Sequence, residues 1–199
     1  MKKPILLIAL LLITSTLFSF TFKDEIKSCY LSFKNANHLK ATEAVHLPDP
    51  NAKTRTIITE TGEVPFVITD AYRIQYNNKY KVEFANIKIE QSSPESYAAN
   101  KNNLLNSLKF INKNSTGMET TDLIELSYNG YKIYGINRES IDDGSNLGTF
   151  VLFPGDNTIV YVYFTNQPKN KRSFKTREEY LDQRNTFLGE YTAHLMNCK

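Results

Sequence analysis

Hydrophobic and polar positions along the chain change period several times, and each change marks an element. Tyr72, Ile74 and Tyr76 alternate with polar neighbours, Asn77-Asn78 interrupts them, and Tyr80, Val82 and Phe84 alternate again, which predicts a hairpin of two strands. The alternation slips by one place between Phe84 and Ile87 before resuming at Ile89, so a β-bulge is expected at Ala85 or Asn86. Upstream, 54–59 and 65–69 read as short strands around the Thr61-Gly62 turn. The period then lengthens to that of a helix. Tyr97, Lys101, Leu104, Leu105, Leu108 and Ile111 form one stripe over 94 to about 113, with Ser93 placed to cap and Pro94 at the first helical position.

Beyond a polar link, Ile124, Leu126 and Tyr128 alternate up to Asn129-Gly130, and Tyr131, Ile133 and Gly135 continue on the other side. Asn-Gly accepts the positive φ angles that a two-residue hairpin turn requires. Two further strands, 147–153 and 158–164, flank Pro154-Gly155-Asp156-Asn157. The second is apolar on both faces, as expected of a strand covered from above and below. Thr176 with Glu179 makes a capping box. Tyr180, Leu181, Arg184, Phe187, Leu188, Tyr191 and Leu195 then stripe a helix ending near Met196. The expected fold class is α+β: an antiparallel sheet of about six or seven strands with helices packed on both faces.

The first residues follow a different logic. Met1-Lys2-Lys3 precedes the apolar run 5–13, which gives way to Thr14, Ser15, Thr16 and Ser19: a signal segment in its usual order. Its apolar part is shorter than the roughly 18 residues a membrane span needs, so cleavage after Ser19 or Thr21 is expected, and any membrane tie would run through an uncleaved segment. The expected organisation is a signal peptide over 1–22, an N-terminal extension over 23–53 broken by Leu47-Pro48-Asp49-Pro50, and a sandwich domain over 54–199. Export implies a periplasmic or secreted protein.

Removing the signal segment changes the charge picture. Lys2 and Lys3 leave with it and no acid does, so 24 basic and 21 acidic side chains become 22 and 21, a net charge of +1. The cluster Lys169, Lys171, Arg172, Lys175, Arg177 is followed at once by Glu178, Glu179 and Asp182. Neutralisation of phosphate on the scale of nucleic-acid binding is therefore not expected.

Two cysteines remain, Cys29 and Cys198, one near each end of the exported chain. An oxidising compartment favours a structural bridge between them, with two free thiols the alternative.

Chemical motifs are sparse. His38, His46 and His194 are the only histidines and stand in no metal or nucleophile motif. His38 and His46 with Asp49 would be the one approach to a metal site. Asp142-Asp143-Gly144-Ser145-Asn146 lacks the spacing and closing glutamate of a calcium loop. Asn114-Ser115-Thr116 is a sequon that matters only in a eukaryotic secretory pathway. Glu125 and Glu139, able to approach across the 128–131 hairpin, are the carboxylate pair a hydrolase would use. No cofactor is implied. Aromatics offer the better lead: Tyr128, Asn129 and Tyr131 at the hairpin and Tyr161 and Tyr163 on one strand face form a possible surface for a protein or glycan partner, unless they pack under a helix.

The order of these elements is similar to the Mog1/PsbP-like α-β-α sandwich over roughly residues 54–195: strands, a helix opened by Ser92-Ser93-Pro94-Glu95-Ser96-Tyr97, four paired strands over 123–138 and 147–164, then a terminal helix. That resemblance implies an exported binding or accessory module with no active site to carry over, and the Asn- and Lys-rich composition with a short Met-Lys-Lys signal points to a bacterial envelope. The alternative is a carboxylate- or metal-dependent hydrolase.

Overall fold

A computed structural model describes residues 25–34, 40–47, 55–78, 81–114, 124–137, 141, 146–166 and 172–198, the side chains of 109–114 and 124 excepted. The expected signal segment lies outside the described residues.

Among the described residues, ten strands and three helices follow in chain order: α1 (Ser28–Leu31), β1 (Lys40–Ala41), β2 (Val45–His46), β3 (Arg55–Thr59), β4 (Gly62–Phe66), β5 (Ile68–Asn77), β6 (Glu83–Ser92), α2 (Pro94–Asn114), β7 (Ile124–Tyr128), β8 (Tyr131–Asn137), β9 (Asn146–Gly155), β10 (Thr158–Thr165) and α3 (Arg177–Asn197). The fold is α+β. Its main sheet has eight strands in the order β1-β5-β6-β10-β9-β8-β7, with β2 also joined to β5, and every pairing is antiparallel. The hairpin β3-β4 forms a small sheet of its own. The strand count exceeds the expected six or seven because β1 and β2 come from the stretch read as an extension.

Local chemistry sets the element ends. Asn129 and Gly130 sit at φ 51° and 83°, joining β7 to β8 through the expected two-residue turn. Asp156 and Asn157, at φ 49° and 53°, do the same for β9 and β10. Strand β9 therefore runs through Pro154 and Gly155, which sequence alone assigns to the turn. Proline is tolerated there because the register slips between Thr158 and Val160, so Pro154 stands where the ladder is already irregular. The bulge in β6 falls one place earlier than expected. Tyr76 pairs with Ala85 and Asn77 with Glu83, leaving Phe84 as the extra residue, and both Phe84 and Ala85 are buried.

Helix α2 starts where Ser93 Oγ accepts from the Ser96 N–H at 3.3 Å. Ser96 Oγ donates to the Pro65 carbonyl at 2.9 Å and accepts from the Val67 N–H at 3.0 Å, which ties the helix to the end of β4. Helix α3 opens on Thr176, whose Oγ1 accepts from the Glu179 N–H at 3.2 Å, while Glu179 Oε2 accepts from the Lys175 N–H at 2.8 Å. This is the expected capping box with its return bond displaced by one residue. Thr176→Ala should lower stability by about 1 kcal/mol, read as a shift in the urea midpoint. An unchanged midpoint would show that the Glu179 bond suffices.

Alternate residues of the central strands join two apolar clusters. Ile87, Ile89, Phe150, Leu152, Val160, Val162 and Phe164 pack with Tyr180, Phe187, Leu188, Tyr191 and Leu195 of α3. Val151 and Ile159, pointing the other way along the same strands, pack with Leu108 of α2, joined by Tyr97, Leu104, Phe153 and Tyr161. Residues of the expected N-terminal extension belong to the first cluster. Ile26, Tyr30 and Phe33 are buried in it, and the Tyr76 hydroxyl donates to the Phe33 carbonyl at 3.2 Å. The Ile26 N–H donates to Asp70 Oδ2 at 3.1 Å.

Cys29 and Cys198 are joined in a disulfide across 169 residues, their Cα atoms 5.7 Å apart. His194 sits beside it, its Nε2 2.8 Å from the Cys29 carbonyl oxygen. A disulfide of this kind belongs to an oxidising environment. Among the described residues no helix is long and apolar enough to cross a membrane.

Candidate binding groove on the sheet

The sheet face that carries Val151 and Ile159 is apolar only where α2 lies. Toward β5 the cross-strand register continues it in polar rows. Arg73 faces Lys88, which faces Tyr161; Gln75 faces Asn86, which faces Tyr163, which faces Thr149; farther along, Thr165 faces Asn146. These rows floor an open groove of about 480 Å³ lined by Arg73 of β5, Glu83, Asn86 and Lys88 of β6, Tyr163 and Thr165 of β10, and Asn146 of β9.

Charge in the groove is arranged along its length. Lys88 Nζ pairs with the buried carboxylate of Glu90 and stands over the Tyr161 ring, 5.7 Å from its centroid. Arg73 is exposed and, among the described residues, takes part in no ion pair. At the other end, Glu83 accepts from Gln75 Nε2 at 3.0 Å and from Asn86 Nδ2 at 3.5 Å. The Tyr161 and Tyr163 rings lie nearly parallel, 4° between planes and 6.3 Å between centroids. Burial, then the Glu90 carboxylate, pushes the Tyr161 hydroxyl far above its ordinary range, and Asn100 Nδ2 donates to it at 3.4 Å. The Tyr163 hydroxyl is raised by burial and by Glu90, with the Arg73 guanidinium acting against them. Both phenols stay protonated at neutral pH and can donate as well as accept.

The structure separates the aromatic residues singled out from sequence. Tyr128 and Tyr131 face each other across the hairpin and pack against the α3 cluster, and the Tyr128 hydroxyl donates to Asn185 Oδ1 of α3 at 3.0 Å. Asn129 is exposed at the turn tip. Tyr161 is packed with the α2 cluster, and Tyr163 alone of the five lines the groove.

The candidate chemical groups are likewise dispersed. His46 Nε2 lies 2.9 Å from Asp70 Oδ1, a partner not anticipated, and Glu125 pairs with Lys132 at 2.8 Å across the hairpin. Neither lines the groove, nor does His194 beside the disulfide. His38, Asp49, Glu139, residues 142–145 and the hydroxyl residues of the sequon lie outside the described residues.

Of the lining residues, Arg73, Glu83, Lys88 and Thr165 belong to no motif in the sequence, Asn86 stands out only as a bulge position, and Asn146 only as the last residue of the run 142–146. A signal existed, since Arg73, Gln75, Asn86 and Lys88 alternate with the apolar Ile74, Tyr76, Ile87 and Ile89, marking one polar sheet face. Comparison of the chain with known protein families, characterised proteins and solved structures finds no match.

Proposed function

We propose that this chain is an exported, non-catalytic binding or accessory module of the bacterial envelope, periplasmic or secreted, and that the groove holds its partner. In this reading the two long helices take opposite faces of the sheet, as the alternation of the two apolar clusters along β9 and β10 supports, in a sandwich of the Mog1/PsbP-like kind. The carrying observation is the polar half-face itself. A sheet that needed only stability would cover this surface or leave it flat, whereas here four strands bring cationic, amide and phenolic groups together in one concave strip. Acid–base hydrolysis needs two carboxylates at a set spacing, and among the described residues Glu83 is the one carboxylate lining the groove, already held by two amide donors. The disulfide supports an extracytoplasmic setting.

The test uses a photo-crosslinking residue at Asn86 in the full chain expressed in an exporting bacterium, with the same probe at exposed Thr186 of α3 as control. Discrete crosslinked species from position 86 and none from 186 are expected, on a chain that mass spectrometry finds starting near Thr21. Equal or no capture from the two positions would overturn the groove as the binding site, and an intact Met1 would overturn export by cleavage.

A further inference from the structure

Resting on that reading, we propose that the groove's ligand is a carboxylate-bearing saccharide, its acid group held at the Arg73–Lys88 end.

Arg73 and Lys88 stand directly opposite each other on β5 and β6. Like charges in this position destabilise a sheet. Glu90 offsets Lys88 but makes no ion pair with Arg73. Among the described residues no acid pairs with Arg73, and a bound carboxylate would, because the planar guanidinium presents paired donors matched to two carboxylate oxygens.

The rest of the strip suits a sugar better than other anions. Tyr163 offers a half-buried ring whose negative face attracts the C–H edges of a pyranose. Glu83, Asn86, Asn146 and Thr165 are short acceptors and donors, and the Glu83 carboxylate accepts from hydroxyl groups while repelling a second acid. The rows from Arg73 to Thr165 span about 13 Å along the strands, at about 3.3 Å per residue. That length takes a short oligosaccharide with one acid group at the cationic end. A polyanion such as nucleic acid would meet Glu83, and a neutral sugar would leave Arg73 unused.

Titration calorimetry on the oxidised, exported protein tests this with three probes that each carry a single carboxylate: an aldotetrauronic acid, 3′-sialyllactose and 6′-sialyllactose. Controls are their carboxyl-reduced or asialo counterparts and a short poly-glutamate. At least one acidic saccharide should bind at least tenfold more tightly than its neutral counterpart and than poly-glutamate. Arg73→Gln and Tyr163→Ala should each weaken it at least tenfold, and Lys132→Gln on the distant hairpin should leave it unchanged. Arg73→Gln should also melt no lower than the parent, since it relieves the like-charge pair.

Failure of all three acidic probes, equal binding of neutral forms, or equal binding of poly-glutamate overturns the proposal. A lower melting temperature for Arg73→Gln would do the same by giving Arg73 a structural role. In each case capture from Asn86 would leave the binding-module reading standing, and loss of that capture would remove it separately.

Discussion

Reduction of the Cys29–Cys198 disulfide is expected to lower the melting temperature by roughly 10–20 °C. In the chain-entropy account, a bridge closing 169 residues removes about 5 kcal/mol of conformational freedom from the unfolded chain. At roughly 2–4 °C per kcal/mol for a chain of this size, that loss gives the stated range. The folded state should change little. Phe33 keeps its ring contacts with Tyr76, Phe187 and Tyr191 at 5.0–5.9 Å, and the Tyr76 hydroxyl still donates to its carbonyl. His194 likewise keeps its bond to the Cys29 backbone. Thermal melts with and without reductant, alongside a Cys29→Ser/Cys198→Ser variant, make the measurement. The double variant should melt like the reduced parent and ignore reductant. Identical melts for oxidised and reduced parent would show that the bridge records the compartment without stabilising the fold.

Phe187→Ala should cost about 3–5 kcal/mol, the range for deleting a buried aromatic side chain from a core that cannot collapse around the cavity. The ring is 1% exposed. It meets Phe33, Tyr76, Phe84 and Phe164 edge-on at centroid distances of 5.0–5.8 Å and stacks on Tyr191 at 6.1 Å. These partners come from the N-terminal segment, β5, β6, β10 and α3, so the cavity opens where five segments meet. The urea midpoint should fall with the slope of the transition unchanged. Exposed Thr186→Ala next to it should stay within about 0.5 kcal/mol of the parent. A loss below about 1.5 kcal/mol at Phe187 would mean that the cluster relaxes into the gap.

Much of the scaffold was legible because its signals are local. A helical period with a capping residue at Ser93 or Thr176, and Asn129-Gly130 between alternating runs, reflect constraints within a few residues of each other. The slip in β6 was legible as a slip but misplaced by one residue. Its position depends on which neighbour Asn77 takes across the hairpin, which a single strand does not encode. The stretch 23–53 reads as an extension because its apolar residues, Ile26, Tyr30 and Phe33 among them, follow no sustained period. Their burial depends on a partner, α3, that arrives more than 140 residues later, the end of which the disulfide joins to Cys29. The groove was hidden for the same reason. In the sequence Tyr163 stands out only as an aromatic sharing a strand face with Tyr161, which packs with the α2 cluster, whereas Arg73 and Asn86 look like ordinary solvent-facing residues of a hairpin.

By itself, then, the amino-acid order determined the helices, the tight turns, the alternation that gives each strand an apolar and a polar side, and the cysteine pair available to close the chain. Periodicity, φ preference and capping act over short range and survive in any tertiary context that keeps the element. Tertiary structure alone decided that β10 lies between β6 and β9, and so that Lys88 stands between Arg73 and Tyr161 and Asn86 between Gln75 and Tyr163. That order is a choice among long-range pairings with similar local energetics, settled by how the whole set of apolar faces is buried at once. It turned scattered polar residues into a groove and Arg73, which pairs with no acid among the described residues, into a candidate ligand contact.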